Sequence, residues 1–149
     1  MNEPYRRDAI MSRLDALRRT VARLRAHQGT ALPAFLADED EQWVVERGLQ
    51  LAAGAALDIC SHLAAALRLP APEDYTQAVD RLAEAGILPA AFAREFRKIG
   101  GFRNVLTHAY LDIDPRIVHR VLVEHLAEYE VFARHVAAFL DRGQLGRGG

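Results

Sequence analysis

Apolar residues recur every three or four positions along nearly the whole chain, and no segment alternates at period two for long enough to propose a strand. That periodicity admits helices and excludes a sheet. Ile10, Leu14, Leu17, Val21 and Leu24 make one stripe, with Arg7, Arg18 and Arg25 on another side, so an amphipathic helix is expected to end near Gly29. After a turn around Pro33, Asp38, Glu39, Asp40 and Glu41 place negative charge where a helix N-terminus favours it. The helix that follows runs to about Arg68, with an apolar band that includes Val44, Leu51, Ala55, Ile59 and Leu63, and it stops before Pro70 and Pro72. Small residues from Gly48 to Ala56 let a neighbouring helix approach it closely.

Asp74 caps a third helix that Gly86 ends, and Pro89 starts a fourth that reaches Lys98. Gly100 and Gly101 interrupt the pattern, a helical turn or two then leads from Phe102 to Asp112, and Asp114-Pro115 opens a last helix through Leu140. The expectation is an all-α bundle of about five or six helices forming one domain over residues 1–141, with 142–149 a disordered tail. At 149 residues and 50% hydrophobic composition, no disulfide or metal staple is needed to hold such a bundle. The single Cys60 excludes an internal disulfide and a Cys-based zinc site, and it reads as a small core thiol. The charged start MNEPYRRDAIMSRL is not a signal peptide and no run of eighteen apolar residues occurs, so a cytoplasmic protein without membrane contact is expected.

A net charge of −1 argues against coating a polyanion with the whole surface. The sum hides a segregation: residues 6 to 25 hold seven arginines against two carboxylates, while residues 38 to 46 hold five carboxylates. Of the 19 basic residues only Lys98 is not Arg, the side chain suited to planar contacts with phosphate or carboxylate.

Most catalytic inventories come up empty. There is no phosphate-binding glycine loop, no nucleophile elbow and no HExxH or paired ExxH metal spacing, so no metal or cofactor is expected. His27, His62, His119 and His135 have no partner at ligand spacing and read as surface or satisfied histidines. Residues 101 to 110 differ. Wound onto a helix at about 100° per residue, Phe102, Val105, Leu106, Ala109 and Ile113 fall on one core-facing stripe. Arg103, Asn104, Thr107, His108 and Tyr110 then fan across the opposite surface, where a bland helix would carry Glu, Lys or Ala. Arg120 and His125 repeat the Arg–His spacing, but His125 sits on the apolar stripe of the last helix and reads as a core histidine.

Arg103-Asn104-x-x-x-His108-x-Tyr110 resembles the R-x4-H-x-Y signature of the HEPN superfamily, in particular its HepT toxins, which pair with MntA-type nucleotidyltransferases. Glu46 to Leu51 and Leu57 to His62 resemble that family's long helix, and Leu82 to Leu88 and Tyr110 to Asp114 resemble the segments flanking the signature. The similarity covers most of residues 5 to 140. It implies a HEPN-like two-fold homodimer that cleaves RNA, tRNA or mRNA, without metal, with Arg103 and His108 as the catalytic pair. His108 would take the proton from a ribose 2′-hydroxyl or protonate the leaving oxygen, Arg103 would stabilise the phosphorane charge, and Asn104 would orient the phosphate or the imidazole. Tyr110 would accept AMP from an MntA-like nucleotidyltransferase antitoxin, placing bulk and negative charge beside Arg103. Higher assembly with the antitoxin is compatible with the pattern. The residues alone also allow a non-catalytic helical subunit of a nucleotidyltransferase whose polar face binds a nucleotide or docks the enzyme.

Overall fold

The computed structural model describes residues 7–108 and 113–142, and among them every regular element is an α-helix. In chain order these are α1 (Arg7–Arg25), α2 (Leu32–Leu36), α3 (Glu39–Ala66), α4 (Tyr75–Glu84), α5 (Ala90–Phe96), α6 (Ile99–Thr107), α7 (Pro115–Glu124) and α8 (Leu126–Arg142). The all-α expectation holds, with eight described helices in place of five or six. The expected tail lies, from residue 143 on, outside the described residues.

Local chemistry sets most helix ends. Asp38, Asp74 and Asp114 sit in extended backbone and accept from the amides of Glu41, Gln77 and Arg116, so three of the helices begin on the aspartate caps read from the sequence. Gly86 has φ of +79° and turns the chain after α4, a backbone conformation that favours glycine. Two corrections concern the count. Pro33, read as a turn, stands in the first turn of α2, where its missing N–H costs nothing. The last helix is split at His125, which caps the end of α7 with φ of −119° before α8 begins at Leu126.

The axis of the bundle is α3. α1 lies along it, α8 packs on α1, and α4, α6 and α7 contact the remaining faces of α3. Ile10, Leu14, Leu17, Val21 and Leu24 are all buried, as their period requires. On α3 the core face is Val45, Leu49, Ala52, Ala53, Ala56, Leu57 and Cys60, with Ile59 and Leu63. Val44 and Leu51, expected inside, are 52% and 46% exposed, because α1 covers only one side of a helix that is apolar nearly all round. By length and composition α3 would also suit a membrane span, and half of that apolar window is buried inside the protein. At the other end of the core Phe96 stacks on Phe92 and Phe132, with ring centroids 5.0 and 4.8 Å away, and meets Tyr129 edge-on at 5.7 Å. Cys60 is fully buried, as expected of a core thiol, and burial raises its pKa, so it stays protonated.

Candidate functional site

The glycines expected to interrupt the chain before the signature instead lie within α6, which starts at Ile99. Gly100 is there for proximity: a β-carbon would come within 2.8 Å of the Thr76 hydroxyl and 3.2 Å of the Thr76 backbone nitrogen. The absent side chain lets the start of α6 press on the start of α4. One residue before Thr76, Tyr75 then receives the Arg103 guanidinium over its ring, 4.5 Å from the centroid. Arg103 is half-buried in this position.

The rest of the polar face is exposed. Asn104, Thr107 and His108 all face solvent, and α6 ends at His108, whose backbone N–H donates to the Asn104 carbonyl at 3.2 Å. The Thr107 hydroxyl donates to the Arg103 carbonyl at 2.8 Å, leaving the Asn104 and His108 side chains unengaged by this turn. No hydrogen bond joins the side chains of Arg103, Asn104 and His108 to one another. Five positions apart on a helix, Arg103 and His108 diverge by about 140°. Tyr110 lies outside the described residues.

The opposite stripe needs a correction. Leu106 is buried, and Phe102 and Ile113 pack partly against the core, but Val105 is 52% exposed. It lies at the edge of the stripe, beyond the reach of α3 and α4, and so shares the surface with Asn104 and His108.

Arg103 also opens onto a groove of about 600 Å³ between α1 and α3, where Arg47, Gln50 and Asp58 of α3 are its neighbours on the lining. None of these three was singled out from the sequence for chemistry. The signal was present in the spacing, since Arg47, Leu51, Gly54 and Asp58 stand one turn apart and place charge on a face that the core does not use.

Four of the other histidines have structural partners, while His62 on α3 is half-buried. His27 and Thr30 each lie 2.8 Å from the same oxygen of Glu41, and these hydrogen bonds lower the Glu41 pKa below the usual carboxylate range. The His119 ring bonds the Thr30 carbonyl at 2.8 Å and packs on Phe35. His135 packs on Phe92. His125 is not in the core: the break between α7 and α8 turns it outward to Glu128, 2.5 Å away. Among the described residues no group of three His, Cys, Asp or Glu side chains is placed to hold a metal ion.

Comparison with known proteins gives the family and the fold. The family model "Ribonuclease HepT-like" matches residues 14–136. The chain is 31% identical to the tRNA nuclease HepT of Aphanizomenon flos-aquae over 88% of its own length and 89% of that protein's. It is 26% identical to the mRNA nuclease HepT of Shewanella oneidensis, over 84% and 93% of the two lengths. A solved structure of a tri-AMPylated Shewanella oneidensis HEPN toxin in complex with MNT antitoxin shares the fold, with a TM-score of 0.78 at 24% identity over 88% of this chain and 98% of that one. The helical order and a match spanning residues 14–136 agree, and the chain belongs to the ribonuclease HepT-like family.

Proposed function

We propose that this protein is the ribonuclease toxin of a toxin–antitoxin pair and that Arg103 and His108 cleave RNA on the surface of α6. The observation that carries the reading is the state of Arg103. It is braced against Tyr75 at the end of an arginine-lined groove, with its fork of donors free of any carboxylate partner among the described residues, beside the exposed Asn104 and His108. In the reaction His108 takes the proton of a ribose 2′-hydroxyl, the 2′-oxygen attacks phosphorus, and the bond to the 5′-oxygen breaks as that oxygen takes up the proton His108 has gained, leaving a 2′,3′-cyclic phosphate. Arg103 holds the charge that develops on the non-bridging oxygens, and Asn104 orients the phosphate. The protein acts in the cytoplasm, consistent with a free buried Cys60 and with the burial of α3 inside the bundle.

The active form is a homodimer. The divergence of Arg103 from His108 leaves one copy with a loose site, and a two-fold axis through the exposed Val105 surface would set a second α6 opposite the first. An MNT-type nucleotidyltransferase is the antitoxin, and Tyr110 accepts AMP from it. The structure of an AMPylated relative with its antitoxin supports this assignment, as does the sequence position of Tyr110 two residues after His108. The test of Tyr110 is intact mass after incubation with antitoxin and ATP: an added AMP on the wild type and none on Tyr110→Phe is expected. An unchanged adduct on that variant overturns it.

The reading as a whole is tested by incubating purified protein with tRNA or mRNA in the presence of a chelator. Cleavage that His108→Ala and Arg103→Ala abolish is expected. Absence of cleavage with intact antitoxin binding would favour a non-catalytic docking subunit.

A further inference from the structure

The groove that starts at Arg103 does not end there. Its second part continues along α3 past Arg47, which with Arg23, Thr20 and Leu51 lines both halves, and finishes at Trp43. From Trp43 to Asp58 the α3 wall covers sixteen residues, about 22 Å over fifteen rises of about 1.5 Å. Five arginines border the groove: Arg13, Arg19 and Arg23 from α1, Arg47 from α3 and Arg103 from α6. Among the described residues Asp58 is the one carboxylate on its lining.

None of the five makes an ion pair among the described residues; Arg18, Arg68, Arg94, Arg120, Arg134 and Arg142 elsewhere on the surface make none either, and what sets the five apart is that they border one groove, while Arg7, Arg25, Arg81, Arg97 and Arg116 each face a carboxylate. Arg13 donates to the Ala9 carbonyl and Arg47 to Gln50, which leaves most of their donors unused. A chain with a near-zero net charge has thus gathered uncompensated guanidinium groups along one channel, where their fields add. At the far end Trp43 is 72% exposed, with the apolar surfaces of Val44 and Leu51 beside it. A linear row of cations ending on an open indole face matches a single-stranded nucleic acid, which offers a regular line of phosphates and stackable bases. A second copy of this chain fits less well, since a two-fold contact through the groove would set the arginine row against its own image.

We infer that the α1–α3 groove is an RNA track: Arg19, Arg23 and Arg47 hold successive phosphates of a single strand whose scissile linkage lies at Arg103, and Trp43 stacks a base at the distal end. The inference rests on the RNA-cleavage reading above, and its test separates the two. Arg19 and Arg23 are exposed and unpaired among the described residues, so reversing both to Glu leaves the core intact. Binding of a labelled single-stranded RNA by anisotropy, in the His108→Ala background, reads the track without turnover. Cleavage of the same RNA and of a dinucleotide too short to reach the groove reads its effect on the reaction.

Arg19→Glu with Arg23→Glu is expected to weaken binding at least about tenfold and to flatten the slope of log K against log salt by about 1.4, two phosphates at roughly 0.7 each. It should lower kcat/KM on the long RNA and leave dinucleotide cleavage unchanged. Trp43→Ala should weaken binding several-fold, and Trp43→Phe should restore most of it. Equal losses on long and short substrates, or unchanged affinity and salt slope, overturn the track. A fall in molecular mass by light scattering in the charge-reversed variant also overturns it, because the groove is then a contact between copies. If the wild type cuts neither substrate but the binding results hold, the cleavage reading fails and the track stands.

Discussion

At the scale of single residues the site turns on how Arg103 is held. The ring face of Tyr75, and not its hydroxyl, carries the guanidinium. A partly exposed contact of this kind contributes about 0.5–1 kcal/mol, so Tyr75→Ala should lower kcat about two- to fivefold while Tyr75→Phe keeps it. Steady-state kinetics on one RNA checks both, and equal losses in the two variants would assign the effect to the hydroxyl. Arg103→Lys retains the charge and loses the planar fork. It should cost on the order of 10²-fold in kcat, with an unchanged melting temperature. That Arg103, Asn104 and His108 lie off the buried stripe of α6 was legible in the sequence, because a helix converts their spacing into positions away from Leu106. Tyr75 was not, because it arrives from 28 positions upstream and only the packing of α6 on α4 brings it to Arg103.

At the scale of the helices the glycines divide by what surrounds them. A β-carbon at Gly48 would lie 2.5 Å from one Leu24 methyl and 3.0 Å from its γ-carbon, with Leu24 buried against α3, whereas one at Gly54 meets nothing within 4 Å. Gly48→Ala should therefore cost about 1–3 kcal/mol by overpacking. Gly54→Ala should gain roughly 0.5–1 kcal/mol by lowering the entropy lost on forming the helix. Thermal melts that shift in the same direction would contradict this division.

The connection between α1 and α3 carries a pH dependence. Glu41, in the first turn of α3, has a lowered pKa because His27 and Thr30 of that connection bond the ionised carboxylate. The stabilisation is therefore present above the ordinary carboxylate pKa and lost as pH falls through the lowered one. Glu41→Gln should melt below the wild type at neutral pH, with the gap closing below about pH 4. A gap that stays constant on acidification would contradict it.

Where helices begin was legible, since Asp38, Asp74 and Asp114 cap as their chemistry dictates. The break at His125 was not, because the apolar period runs from Val118 to Leu140 without a break while the backbone does not. Nor was the true inner face of α3. Its sequence is apolar on several sides, and only the positions of its neighbours decide that Val45 is buried and Val44 is not.

At the scale of the molecule, one buried core joins all eight described helices, and the sides it leaves uncovered carry the polar face of α6 and the arginine-lined groove. α6 presents the polar signature beside an exposed Val105, and α1 and α3 present a cationic channel that leads to Arg103. Val105→Asp should convert a dimer to a monomer by light scattering and abolish RNA cleavage together with it. A dimer that survives the change would move the two-fold axis elsewhere. The near-neutral total charge is a cancellation between surfaces, with carboxylates gathered at the start of α3 and unpaired guanidinium groups in the groove. The most direct test is the cleavage of tRNA or mRNA by the purified protein with chelator present, wild type beside His108→Ala. Cleavage by the wild type and none by a folded His108→Ala is the expected result. RNA cut equally well by both proteins would contradict the assignment of His108 on α6 as the group that moves the proton.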